Sequence, residues 1–504
     1  MEHAPQTELG EIIEVFGHPQ KAMNFLKFEE KCIFVERDEV KTEIADEIVP
    51  LIYTGDPSNR IDVVFMGDGY TASQRDLHFE DLQRLTEDMW QGETFLSYLP
   101  LFNVWGVFRA SVQAGIGYYS TPLNTAFGLY RDGTELRGVY CSKPTAARDA
   151  CRGTGADACD FPSLIGNDPY YGGLGGEFTI STSSHTSGTK VLRHEFGHNF
   201  GDVGEEYDGG SVYSGANSQR SYNNLKWKHW LTNPNYNTFE DNDLLAQDYA
   251  WYDLANGPYT ITFSSTGNYN RWFMRFSASG CETPGSLRVT LDGVPLAWNS
   301  SLLIDRSFYE YFGSSGFSAG THRLVFESTS PPVSMIRQLC SVSLLEYKNE
   351  SQYHFDNDFI GAYPTYMIGN ILAGYRPNNE RCLMRNMTST AFCTVCQENN
   401  WLQFLARMSL IDGITVTPSG ANVAVTADVV PLAQLREGGS FPNENYIITW
   451  TQNGNARTDL TGRFTFTESR VSATGFWTMT ITYQTTEVRS DPDDLLTDTQ
   501  TFTI

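Results

Sequence analysis

The side chains best placed to do chemistry lie in His194-Glu195-Phe196-Gly197-His198-Asn199-Phe200-Gly201-Asp202-Val203-Gly204-Glu205-Glu206-Tyr207-Asp208. If Lys190 to Phe200 is helical, His194 and His198 are one turn apart and leave the same face, with Cβ atoms ~5–6 Å from each other. One zinc ion can then bind both imidazoles. Glu195 stands one residue beyond the first histidine, so its carboxylate can reach a water on the metal without itself being a ligand. That is the arrangement of a general base in a metalloprotease. A surface helix that merely happens to carry two histidines would explain the spacing less well, because the chain has only nine histidines in 504 residues. Val191, Leu192 and Phe196 supply an apolar face for the helix, and Gly201 offers a backbone break three residues past His198.

A catalytic zinc needs a third protein ligand and an open fourth position. If that ligand comes from the loop after Gly201, the adjacent acids Glu205 and Glu206 are the candidates. Glu205 is preferred, since it needs the shorter loop and leaves Glu206 to hold a histidine from outside the coordination sphere.

The elements that must position these groups are legible on both sides. Ile61 to Met66 reads as a buried strand, Gly67-Asp68-Gly69 as a turn, and Ser73 to about Gln91 as a helix with Leu82, Leu85 and Met89 on one face. Leu101 to Phe108 reads as another strand, and strand, helix, strand in this order suggests an α/β arrangement. From Tyr259 to Tyr347 the apolar pattern changes to period two, and the same texture returns after about residue 409. Each such block has the length of an immunoglobulin-like sandwich. The expected organisation is therefore an N-terminal extension over 1–52, a catalytic unit from 53–250 and 349–408, an inserted β-sandwich at 251–348, and a C-terminal β-sandwich at 409–504.

Composition narrows the partners. With 35 Lys+Arg against 60 Asp+Glu the formal net charge is -25, which repels phosphate backbones and anionic lipid and argues against nucleic-acid binding or electrostatic membrane docking. No run approaches the ~20 apolar residues of a membrane span. Nine cysteines, abundant Tyr, Gly and Asn, and the triplets Asn299-Ser-Ser, Asn349-Glu-Ser and Asn386-Met-Thr fit a secreted glycoprotein whose signal peptide is absent from this chain. No feature of the sequence sets the oligomeric state.

Segment 194–208 resembles the signature of the IgA-peptidase family of zinc metallopeptidases, in which the extended motif ends in an acidic pair followed by Tyr. Other pieces are similar to that family: Val64-Phe65-Met66-Gly67-Asp68-Gly69-Tyr70-Thr71, Leu101-Phe102-Asn103-Val104, Tyr171-Gly172-Gly173, Trp227-Lys228-His229-Trp230, Gly374-Tyr375-Arg376-Pro377, Cys382-Leu383-Met384-Arg385 and Phe392-Cys393-Thr394-Val395-Cys396. The resemblance covers about 60–250 and 355–405 and neither sandwich. It implies an α+β, metzincin-like catalytic domain, with a twisted mixed sheet, an active-site helix and a methionine turn, beside two all-β sandwiches. Met384 is the residue it places at that turn, an apolar floor under the histidines and not a ligand. Metzincins carry the third ligand three residues past the motif glycine, where this chain has Gly204, so the acidic pair takes over that role.

The resemblance and the residues together imply hydrolysis of protein or peptide substrates, with zinc on His194, His198 and Glu205 and with Glu195 as general base. Tyr207 would fix the ligand loop, and the extended run Glu177 to Ser181 could add substrate as a further strand. A disulfide from Cys382 to Cys393 or Cys396 would pin the methionine turn. A zinc knuckle at Cys393-x-x-Cys396 lacks a second cysteine pair in the sequence. One pair among Cys141, Cys151 and Cys159 could staple the preceding loop. Asp62 and Asp68 raise calcium as a cofactor, but no twelve-residue calcium loop is present. The rival readings are an inert metalloprotease-like adhesion or glycan-binding protein and a zinc amidase acting on a non-protein amide.

Overall fold

The computed structural model describes residues 33–34 and 46–504, apart from 236–238, 335, 437–438 and 440. Most of the expected N-terminal extension thus lies outside the described residues. The central sheet has six strands: β1 (Ile33–Phe34), β2 (Glu47–Ile52), β3 (Ile61–Asp68), β4 (Phe102–Phe108), β5 (Phe161–Gly166) and β6 (Thr179–Thr182). Their spatial order is β1-β2-β4-β3-β5-β6. Pairing is parallel from β4 through β3 and β5 to β6 and antiparallel where β2 meets β4 and β1. The sheet is therefore mixed. β3 and β4 are buried along their whole length, as expected of central strands covered on both faces, and this is why they read as continuous apolar runs without alternation. The boundary at residue 52 shifts, because Glu47–Ile52 is an integral strand held along β4.

Helix α1 (Arg75–Met89) buries Leu82, Leu85 and Met89. Helix α2 (Pro144–Arg152) precedes β5 and is stapled by the Cys151–Cys159 disulfide. Helix α3 (Gly188–Gly201) carries both motif histidines. Helix α4 (Thr394–Leu405) packs beside α3, and the cores of these two helices meet through Phe200 and Phe404 at 6.0 Å.

His78 on α1 shows what burial does to a titratable group in this domain. It is fully buried among the rings of Tyr70, Phe79 and Phe108, and that burial lowers its pKa from 6.5 to about 3. The unfolded chain takes up this proton near pH 6.5 while the folded chain refuses it until about pH 3, so stability is lost as pH falls through that window. Between pH 7 and pH 5 the loss is about 2 kcal/mol. His78→Phe is expected to remove this component. Thermal melts at the two pH values check it, and equal drops in midpoint for variant and parent would contradict it.

The first sandwich pairs Gln338–Tyr347 with Arg271–Ser279, and the latter with Ser307–Gly313, in one sheet, and sets Tyr259–Ser265, Gly320–Ser328 and Leu287–Leu291 in the other. Strand Asn242–Asp248 also pairs with Gln338–Tyr347. The sandwich sheet thus begins before residue 251, at a segment whose buried Leu244 and Ala246 alternate with less buried neighbours. The C-terminal sandwich joins a three-stranded sheet from Ile411–Ser419, Asn422–Val429 and Thr465–Ser469 to a four-stranded one that includes Asn445–Gln452, Phe476–Gln484 and Thr497–Thr503. Its core is continuous with that of the central domain, since Val425, Trp450 and Trp477 belong to the same apolar cluster as Phe102, Phe200 and Phe404. Arg60 fastens the two with Nη1 on Asp412 Oδ1 at 2.6 Å and Nη2 on Oδ2 at 2.8 Å.

Candidate metal centre

Helix α3 is anchored by Val191, Leu192, Phe196 and Phe200, with the last two rings stacked at 4.2 Å. This apolar side fixes the rotation of the helix, so His194 and His198 emerge together on the other. The helix does not break at Gly201. That residue is still helical, and the left-handed turn falls on Asp202 (φ 50°), whose N–H bonds His198 O. Gly201 is small for another reason: a Cβ there would collide with Asn400 on α4, while Asn399 Nδ2 donates to the Gly201 carbonyl. Gly204 likewise lets the chain cross the backbone of Ser214.

His194, His198 and Glu205 converge, each offering one ligand atom, with these atoms all within 4.8 Å of one another. His198 Nε2 lies 3.1 Å from Glu205 Oε1, and His194 Nε2 lies 3.3 Å from Oε2. Oε2 is buried and makes no directed hydrogen bond among the described residues. The outward nitrogens are occupied: His194 Nδ1 is 3.2 Å from Leu383 O and His198 Nδ1 is 2.7 Å from Val203 O. With Nδ1 protonated and donating to a carbonyl, each ring turns the lone pair of Nε2 toward the shared point, which is how backbone acceptors orient histidine ligands. Two imidazoles and a carboxylate are a donor set for zinc, and their inward convergence fits one ion. The His198 side chain is 20% exposed against 5% for His194, so the centre opens on the His198 side.

Electrostatics within the trio follow the same geometry. Burial opposes charge on either ring, yet Glu205 raises His198 to about 9 and shifts His194 upward. Burial would raise Glu205, but the two rings hold it down at about 2. A divalent cation bound here would displace the imidazolium protons, so affinity rises with pH.

Glu195 lies beside the trio, and burial raises its pKa while the two histidines pull it back. Its Oε2 rests against Gly175, where a Cβ would lie only 2.6 Å away. Sequence reasoning missed this close approach at Gly175, although the run Gly172-Gly173-Leu174-Gly175-Gly176 was available as a signal of it. Tyr207 donates its hydroxyl to Glu205 Oε1 at 3.0 Å. Met384 is fully buried beneath α3, and a Cβ on Gly197 would stand 2.6 Å from its Sδ.

Three expectations need correction. Glu206 does not hold a histidine. Its side chain turns inward, where Oε1 accepts from Asn217 Nδ2 at 2.8 Å, and backbone carbonyls do the work assigned to it. No disulfide joins Cys382 to Cys393 or Cys396. All three thiols are free, with 3.7 Å between the sulfurs of Cys382 and Cys396. The extended run at 177–181 is not open for strand addition at Ile180, because Leu174 already exchanges both backbone bonds with it. The acids that raised calcium serve as internal acceptors: Asp62 Oδ1 for Trp105 Nε1 and Asn103 Nδ2, and Asp68 for the N–H groups of Phe127 and Leu129 and the Thr125 hydroxyl.

The inserted sandwich reaches this region, which the sequence did not signal. Asp305 accepts from Tyr171 N, Ser184 Oγ and Ser187 Oγ at the start of α3, and Arg306 Nη1 meets the Tyr171 hydroxyl at 3.1 Å.

A helix packed on the mixed sheet, together with the loop that follows it, brings two histidines and a glutamate around one point, and these residues could hold a metal ion. Residues 49–251 match the family described as IgA Peptidase M64, in agreement with the resemblance carried by segment 194–208. No curated protein matches the chain. Among solved structures it is similar to a ruminal GH26 endo-beta-1,4-mannanase, at 9% identity over 19% of this chain and 18% of that one with a TM-score of 0.15. It is also similar to a GH2 beta-galacturonidase from Eisenbergiella tayi, at 10% identity over 45% and 33% with a TM-score of 0.13. The CBM51-2 and INT domains of Clostridium perfringens ZmpB match at 10% identity over 45% and 70%, again with a TM-score of 0.13. At such TM-scores these likenesses carry no weight for fold or function.

Proposed function

We propose that the chain is a zinc-dependent endopeptidase that cleaves protein or peptide substrates. The observation that best supports this is the inward convergence of His194 Nε2, His198 Nε2 and the Glu205 carboxylate, with Glu195 beside them. A zinc ion held there would bring the pKa of a water toward ~7 and polarise the scissile carbonyl. Glu195 accepts the proton as water attacks. Its own pKa, raised by burial, suits it to pass that proton to the leaving amine. Leu383 O and Val203 O hold the histidines in the tautomer that presents Nε2, and Tyr207 holds the carboxylate of Glu205. Met384 supplies the apolar floor of a metzincin-like site. We assign substrate positioning to the cleft of about 210 Å³ between the start of α3 and the inserted sandwich, lined by Tyr171, Ser187, Lys190, Arg306 and Phe308 among others. Export to an oxidising compartment belongs to the same reading and is supported by the Cys151–Cys159 disulfide.

Digestion of a peptide library by the full chain tests this. Internal cleavage that a chelator abolishes and added zinc restores is the expected result. No cleavage, or cleavage indifferent to the chelator, would overturn it.

A further inference from the structure

A second group of potential ligands lies beneath the first, and the proposed peptidase chemistry does not use it. Cys382, Cys393, Cys396 and Glu206 each offer one ligand atom, and these atoms all lie within 4.8 Å of one another. All four side chains are buried, at 0%, 1%, 0% and 0% exposure. Three buried thiols alone would pass as small apolar core residues. A carboxylate among them would not, because burying it without a compensating partner is costly. One oxygen of Glu206, Oε1, accepts from Asn217 Nδ2 at 2.8 Å and from the Cys396 thiol at 3.5 Å. The other, Oε2, is fully buried and has no hydrogen-bond partner among the described residues.

We propose that Cys382, Cys393, Cys396 and Glu206 form a structural zinc site separate from the His194, His198 and Glu205 centre. The spacing supports a shared ion. In a tetrahedral site with Zn–S bonds of ~2.3 Å, neighbouring sulfurs stand about 3.8 Å apart, and the sulfurs of Cys382 and Cys396 are 3.7 Å apart. A disulfide would need roughly 2.0 Å and would strand the third thiol. Four protein donors leave no open position, which is the mark of a structural and not a catalytic zinc. Cys393 is the N-cap of α4 and Cys396 lies in its first turn, so two sulfurs come from one helix start, as in zinc knuckles. The other two donors arrive from separate loops. The surplus negative charge is offset in part by the buried Arg376 that acts on Glu206.

The position of this site gives it a purpose. Glu206 adjoins the catalytic ligand Glu205, and its N–H bonds Met384 O at 3.1 Å. Cys382 adjoins Leu383, whose carbonyl orients His194. One ion at the thiols would therefore clamp the ligand loop, the methionine turn and α4 together, 176 residues apart in sequence between Glu206 and Cys382.

Metal analysis of the full chain, purified with zinc present, tests the proposal. The parent is expected to hold two zinc ions per chain and the His194→Ala/His198→Ala variant one. Grown with cobalt instead, that variant should show a thiolate-to-cobalt charge-transfer band, and Cys393→Ser added to it should abolish the band. A metal-free double-histidine variant, or a native mass showing Cys382 joined to Cys393 or Cys396, overturns the proposal. The peptidase reading fails separately: one zinc that survives loss of both histidines keeps the thiol site and removes the catalytic one.

Discussion

Glu195→Gln lowers kcat/KM by about 10³-fold or more while the protein keeps its full zinc content. The substitution preserves shape and removes only the ability to accept a proton. Positioned general bases contribute roughly 10²–10⁴-fold, and here the same carboxylate is asked both to take water's proton and to return it to the leaving amine, which places the effect toward the upper end. Glu195 is not among the converging ligand atoms, so the metal should stay. Its carboxylate is packed against Gly175, and Gln can occupy the same space. Rates on a cleaved reporter peptide, with metal content measured on the same sample, decide the matter. A variant that retains activity, or one that loses its zinc, would remove Glu195 from this role.

Glu205→Ala is expected to empty the catalytic centre, with zinc affinity there lowered by more than about 100-fold and hydrolysis lost with it. Partners that merely orient ligands cost 10–100-fold when removed, and Glu205 contacts both imidazoles directly at 3.1 and 3.3 Å. Its removal also leaves the Tyr207 hydroxyl without its acceptor. Glu206→Ala is the contrasting variant, since that side chain points to Asn217 and the thiols and its loss should weaken the thiol site while the ligands of the histidine centre remain. Titration of each variant with zinc in competition with a chromogenic chelator separates them. Equal affinity of Glu205→Ala and the parent at the histidine centre would show that the third ligand lies elsewhere.

The local and periodic properties of this protein are written in its chain. A three- and four-residue apolar spacing put Leu82, Leu85 and Met89 on one helix face, and unbroken apolar runs marked β3 and β4 as central strands. The i, i+4 spacing of His194 and His198 put both imidazoles on one face of α3, because a single helix obeys a fixed angular period whatever surrounds it. Gly204 excluded one ligand position and left two candidates, and side-chain chemistry could go no further. Tertiary packing separates them: the chain crosses Ser214 at Gly204 and turns at Asp202, and Glu205 comes to lie against the imidazoles while Glu206 faces three cysteines from the other end of the domain. That pairing joins residues far apart in sequence, and no local period or composition carries such information. The same holds for the carbonyls of Leu383 and Val203, since every residue type has one, and for Leu174 on Ile180, since backbone pairing leaves no mark in side-chain identity. Asp305 at the start of α3 is decided in the same way, by where an inserted domain comes to rest on the helix.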